Sequence, residues 1–170
     1  MTPLFLFLAG LTLTAADTPH IDTPHIKAAA AAYQAAKAAS ARKQPAAAAE
    51  LLSRAIEIEP TFLDAYKDLI EALVASGDRL QAAAVITRFL EIEPAASRYR
   101  LVLAQILLAE KQWDRSLAQF SLILRDDPFN ADALFGFAAA AKQLGMEDRA
   151  SEALARGRDR YPLDQRFRAP

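Results

Sequence analysis

Two histidines, His20 and His25, stand five residues apart in a direct duplication, DTPHI at 17–21 and again at 22–26. Imidazoles so spaced can begin a metal site, but such a site needs further ligands on a rigid frame. No rigid frame is present, and Pro19 and Pro24 oppose helix, so the stretch reads as a spacer. The 170 residues include no cysteine, which removes disulfides, thiolate nucleophiles and cysteine-based zinc sites. With both histidines near the start, no Ser-His-Asp set is available to the body of the chain, and no glycine-rich phosphate loop is present. Asp126 and Asp127 place two carboxylates together, but at the end of an apolar-periodic stretch, where solvation is their ordinary state. Arg156, Arg158, Arg160, Arg166 and Arg168 form a basic cluster near the end of the sequence. Cations there complement a helix C-terminus; the other reading is contact with anionic lipid or an acidic partner. These residues lead us to expect no catalytic or metal-binding residue, no cofactor and no enzymatic activity.

The elements that must carry these side chains divide the chain unevenly. Hydrophobic residues make up 53% of it, enough for a sizeable core. The formal net charge is -1, with a sequence pI near 6.1. A nucleic-acid binder would need a basic excess to neutralise phosphates, so that class is set aside. Residues 3–16 read PLFLFLAGLTLTAA, uncharged and too short to span a bilayer. With small residues at Thr14, Ala15 and Ala16, residues 1–16 are expected to be a signal peptide cut after Ala16, although no Lys or Arg precedes the apolar run. The expected location is periplasmic or secreted. Residues 17–28 follow as a flexible linker.

The body is periodic. Pro60, Pro94, Pro128 and Pro162 recur every 34 residues, in the settings AIEIEP, FLEIEP, ILRDDP and GRDRYP. Each 34-residue unit holds two stretches with apolar residues at three- and four-residue spacing, such as Tyr66, Leu69, Ile70 and Leu73. In the second unit these predict helices at 63–76 and 79–93, broken by Gly77 and Asp78. Thr61 with Asp64 and Asp78 with Gln81 have the spacing of capping boxes. Pro45 suits the first position of a helix, where its missing N–H costs nothing. The recurrent prolines close each second helix.

In this phase the sequence resembles the tetratricopeptide repeat. The second unit holds Tyr66, Leu69, Ile70 and Leu73, then Ala82, Ile86, Phe89 and Pro94 at the family's signature places. The third holds Arg100, Leu103, Ala104 and Leu107, then Ser116, Phe120, Ile123 and Pro128. The fourth holds Leu134, Phe137, Ala138 and Ala141, then Ala150, Leu154, Gly157 and Pro162. The first is loosest, with Ala32, Ala35, Ala36 and Ala39, then Ala48, Leu52, Ala55 and Pro60. The resemblance implies an all-α, right-handed superhelical solenoid of antiparallel helix pairs. It divides 29–162 into four repeats, 29–62, 63–96, 97–130 and 131–162, with 163–170 as a tail. It also implies a concave groove, lined by the first helices, that binds an extended peptide or a helix of another protein. Carried onto this chain, the groove places hold Tyr33, Lys37, Asp64, Lys67, Glu71, Val74, Arg98, Leu101, Gln105, Leu108 and Phe135, together with Asp132, Ala139 and Lys142. Family members that clamp a peptide carboxylate do so with Lys and Asn in a set array; Tyr33 and Asp68 stand at two of those places here.

Several expectations follow. Val74, Leu101, Leu108 and Phe135 should form an exposed apolar patch, unless they pack against a neighbouring helix or a folded-back tail. Lys67 and Glu71 read either as groove residues or as a solvated pair one turn apart. The alanine-rich helix at 29–41 should be the easiest to fray. Gly157, Arg158 and Arg160 replace apolar residues and should form a solvated end onto which Phe167 can fold. Besides an adaptor in a bacterial envelope complex, two roles stay open: a self-associating structural subunit, and a peripheral membrane component docking through the arginine-rich end.

Overall fold

The computed structural model describes residues 23–168, so the expected signal segment, His20 and the first DTPHI copy lie outside the described residues. Eight helices follow one another among the described residues: α1 Thr23–Ala41, α2 Pro45–Ile58, α3 Leu63–Ser76, α4 Arg79–Ile92, α5 Ser97–Ala109, α6 Trp113–Asp126, α7 Ala131–Gln143 and α8 Glu147–Arg160. A short 3-10 turn, Gln165–Phe167, ends the described chain. No described residue is in a strand. Consecutive helices pack as neighbours along the whole series, which is the arrangement of a helical solenoid.

The period is written into the backbone. Helices α3, α5 and α7 start at Leu63, Ser97 and Ala131, and α2, α4, α6 and α8 at Pro45, Arg79, Trp113 and Glu147, each step 34 residues. Every odd helix ends alike. Lys43, Gly77, Lys111 and Gly145 take positive φ, at 58°, 82°, 59° and 71°. The next residue then reaches back to the helix: Gln44, Asp78, Gln112 and Met146 donate their N–H to Ala39, Leu73, Leu107 and Ala141. That six-to-one bond through a left-handed residue is the Schellman stop, and it satisfies carbonyls that the helix end leaves free. Every even helix also ends alike. Phe62, Ala96, Asn130 and Asp164 each donate to the carbonyl three residues back, closing a turn over the recurrent proline.

The core forms two clusters that meet in α5. Tyr66, Ile86 and Phe89 anchor the first, with Leu52 from α2 and Leu103, Ile106 and Leu107 from α5. The second gathers Ala104, Phe120, Ile123, Leu134, Phe137 and Phe167. Small side chains set helix separation: Ala82 and Ala104 are fully buried. At Gly136 a Cβ would fall inside the ring of Phe120, so α7 reaches α6 only because the side chain is absent. Ser116 is the one buried polar residue among the described residues, and its hydroxyl donates to the Ala104 carbonyl at 2.9 Å. That bond removes the penalty of burying it.

Three expectations need correction. The linker expected at 17–28 is helical from Thr23 onward. Pro24 falls in the first turn, where no intrahelical N–H bond is required of it. The capping box at Thr61 and Asp64 does not form. Phe62 is the N-cap without a side-chain bond, and the Thr61 hydroxyl donates to Glu59 instead. Asp78 does cap α4, accepting from the Gln81 amide at 3.1 Å. In α1, Ala29, Ala32, Ala36 and Ala39 face inward while Ala35 is exposed, because the apolar stripe extends a turn earlier than the signature places implied.

Candidate protein-binding face

The odd helices lie side by side and form one continuous face. Lys37 of α1 pairs with Asp68 of α3 at 3.3 Å. Val74 of α3 shares a cleft of about 340 Å³ with Val102, Gln105 and Ile106 of α5. Helices α5 and α7 touch directly. The even helices line the opposite side, where Ser53 and Gln81, Thr87 and Arg115, and Ser121 and Arg149 flank successive shallow clefts.

At the α1 end the face is polar and charged. A cleft of about 450 Å³ is lined by Lys37, Ser40, Lys43, Asp68, Glu71 and Ala72. Tyr33 packs on Phe62 with ring centroids 4.9 Å apart. Burial of its phenol, then the neighbouring Asp68 carboxylate, pushes the Tyr33 pKa up to about 12. Both effects disfavour the phenolate. Lys67 does not pair with Glu71. It bonds Asp64 at 3.1 Å, one turn earlier on α3, and this carboxylate raises the Lys67 pKa. Glu71 is exposed in the cleft, and among the described residues it has no ion-pair partner.

The middle of the face is apolar, but less open than expected. Val74 is 49% exposed. Leu101 and Leu108 are half-buried, packed against the second core cluster, because α5 must serve both clusters at once. Gln105 is exposed beside Val74, and Arg98 is exposed with its guanidinium 5.9 Å from the Tyr99 ring.

The α7 end is built differently. Phe135 remains 40% exposed, although Phe167 approaches it edge-on at 6.3 Å. Phe167 itself is buried at 2% exposure, against Gly157 of α8. A Cβ at Gly157 would occupy the space of its ring. Arg166 donates to Asp132 of α7 at 2.6 Å and to Asp164 at 2.7 Å. These two carboxylates raise its pKa further, and Arg166 in turn lowers that of Asp164. Two other groups pin this end: the Tyr161 hydroxyl donates to Phe129 and Arg156 donates to Pro128. Of the five clustered arginines, Arg156 and Arg166 are therefore committed to their own chain.

Sequence reasoning placed Tyr33, Lys37, Asp64, Lys67, Glu71, Val74, Arg98, Gln105 and Phe135 on these odd helices as accessible or half-accessible side chains. It missed Lys43 and Ser40 in the first cleft, and Arg166 as a partner for Asp132. The signal for Arg166 was present: it follows Asp132 by one 34-residue step. Among the described residues no group of three or more His, Asp or Glu side chains is disposed to hold a metal ion. No described helix is long and apolar enough to cross a membrane.

Comparison with known proteins agrees with this architecture. A tetratricopeptide repeat family profile matches residues 39–106. No curated protein matches the chain. Among solved structures, MamA from Desulfovibrio magneticus RS-1 is similar at 19% identity and a TM-score of 0.69, covering 82% of this chain and 78% of that one. YrrB, described as a TPR protein with an unusual peptide-binding site, is similar at 22% identity and a TM-score of 0.69, covering 82% and 72%. A tetratricopeptide repeat protein from Parabacteroides merdae is similar at 14% identity and a TM-score of 0.71, covering 83% and 56%. The fold is thus an all-α helical solenoid like that of the tetratricopeptide-repeat proteins it is similar to.

Proposed function

We propose that this chain is an exported adaptor of four tetratricopeptide repeats. It binds a segment of another protein along the face of its odd helices, in a bacterial envelope complex. The observation that carries this reading is the graded face itself. A charged cleft around Lys37, Lys43, Asp68 and Glu71 leads to an apolar opening at Val74, Val102 and Ile106, then to Phe135. Such a strip matches an extended segment with polar residues at one end and apolar ones at the other. Exposed apolar groups rimmed by charge commonly mark contact surfaces. Export rests on the uncharged run at 3–16 and the small residues after it. The described face offers partners shape and charge, which is what a scaffold supplies.

The test is affinity capture from an envelope extract with the mature chain and a Lys67→Glu, Val74→Asp, Phe135→Ala variant. All three side chains are accessible, so the fold should survive, and circular dichroism checks that. Loss of captured partners is expected. An unchanged set of partners would place binding elsewhere on the molecule.

A further inference from the structure

After α8 the described chain enters a fifth unit, of which one turn is seen. The turn over Pro162 closes through Asp164 as the turns over Pro60, Pro94 and Pro128 close through Phe62, Ala96 and Asn130. The 3-10 turn then starts at Gln165, 34 residues after α7 starts at Ala131. Asp164 caps it, accepting from the Arg166 amide at 3.0 Å, as Asn130 caps α7 by accepting from Ala133. The tail therefore lies where a further odd helix would pack, in register with the face described above.

Two side chains of this tail seat on the body. The Arg166 guanidinium bridges Asp132 and Asp164 and lies 5.8 Å from the Phe135 ring and 5.7 Å from the Phe167 ring. Phe167 fills the notch left by Gly157, between Phe135 and Tyr161. The body thus supplies a carboxylate, an aromatic face and a glycine notch. The tail supplies a planar cation and the aromatic that follows it. An arginine fork suits a carboxylate and an aromatic face together better than a lysine does.

We infer that the α7 end of the face is a docking site for a partner segment presenting arginine followed by an aromatic residue, and that the chain's own Arg166 and Phe167 hold this site in cis until such a partner arrives. The inference rests on the reading of the odd-helix face as a protein-binding surface. It adds the chemistry of one end and a competing occupant. The tail leaves α8 only a few residues earlier, so its effective concentration at the site is about millimolar or higher. A free segment of equal intrinsic affinity is therefore outcompeted in the intact chain.

The experiment uses the 15N-labelled mature chain, its Arg166→Ala, Phe167→Ala double variant, and the synthetic peptide LDQRFRAP as probe. Expected are peptide-dependent amide shifts at Asp132, Phe135 and Gly157 in the double variant, at least about fivefold weaker in the native chain. The control peptide LDQAARAP should produce none. Equal binding of the two peptides, equal binding to the two proteins, or no binding to the folded double variant would overturn the inference. If the double variant does not fold, Arg166→Ala alone opens the arginine half of the site. There, shifts at Asp132 and Phe135 that vanish on adding Asp132→Asn are required, and their absence counts against the inference. A peptide that ignores Asp132 while partner capture still depends on Val74 leaves the adaptor reading intact and removes only this one.

Discussion

Tyr33 is a residue whose surroundings alter its chemistry. Its phenol stays protonated well above the ordinary tyrosine range, to about pH 12. The folded pKa is raised above the unfolded one, so the stability it contributes is complete below about pH 10 and is lost as pH rises through 12. Ultraviolet titration of the native chain should show late-ionising phenols, Tyr33 and the buried Tyr66, and Asp68→Asn should bring the Tyr33 step down. Unchanged titration in the variant would leave burial as the whole cause. Gly136 sets two effects against each other. Alanine there gains about 1 kcal/mol of helix propensity. It also forces a methyl into the ring of Phe120, which is fully buried and has no room to turn. Overpacking typically costs about 1–3 kcal/mol. Gly136→Ala should therefore lower stability by about 1 kcal/mol in urea unfolding, and a gain would mean that the helices slide apart freely. At this scale the buried signature residues were legible, because apolar type and a 34-residue phase together imply an inward position. The Arg166–Asp132 pair carried only its 34-residue separation as a signal, which implies contact once the tail is known to continue that phase.

Helix ends show where residue type and backbone demand part. The left-handed residue that stops each odd helix is glycine twice and lysine twice, at Lys43 and Lys111. A non-glycine residue in that conformation costs on the order of 1 kcal/mol, less what glycine loses through a freer unfolded chain. Lys111→Gly should raise stability by up to about 1 kcal/mol, and Gly77→Lys should lower it by a similar amount. Opposite signs at two equivalent positions would be visible as opposite shifts in urea midpoint. Gly77 announced its stop in the sequence; Lys43 and Lys111 did not, since lysine favours helix interiors and only their phase with Gly77 betrays them. The caps were legible only in part. Asp78 behaves as its type implies, whereas Thr61 spends its hydroxyl on Glu59, a competitor that spacing alone does not reveal. Helix α1 differs from its counterparts in composition, with alanines where Tyr66, Leu69 and Leu73 stand in α3. Alanine buries far less apolar surface than leucine, a difference of about 2–5 kcal/mol when deleted from a core. Tyr33 on Phe62 and Lys37 on Asp68 offset part of this. Amide exchange should be fastest in 29–41 among the helices; faster exchange in α5 or α6 would refute the ranking.

For the molecule as a whole, the fold was legible before any coordinates because one interval governs proline turns, glycine breaks and apolar faces together. The shared face of the odd helices was legible in outline, since those helices must lie on one side. Its degree of openness was not: Leu101 and Leu108 are drawn inward because two core clusters meet in α5, which no local pattern records. Each repeating hairpin contacts mainly its neighbours, so stability is distributed as a sum of units and the interfaces between them. The left-handed stop and the proline turn recur at the same interval, so the backbone on either side of 63–96 has matching geometry, with Phe62 and Ala96 closing equivalent turns. That stretch is thus a cassette. Splicing Phe62 directly to Ser97 should yield a shorter ladder with the same helical ellipticity per residue and a single, lower melting transition. Loss of cooperative melting in the spliced chain would show that the rungs are not interchangeable.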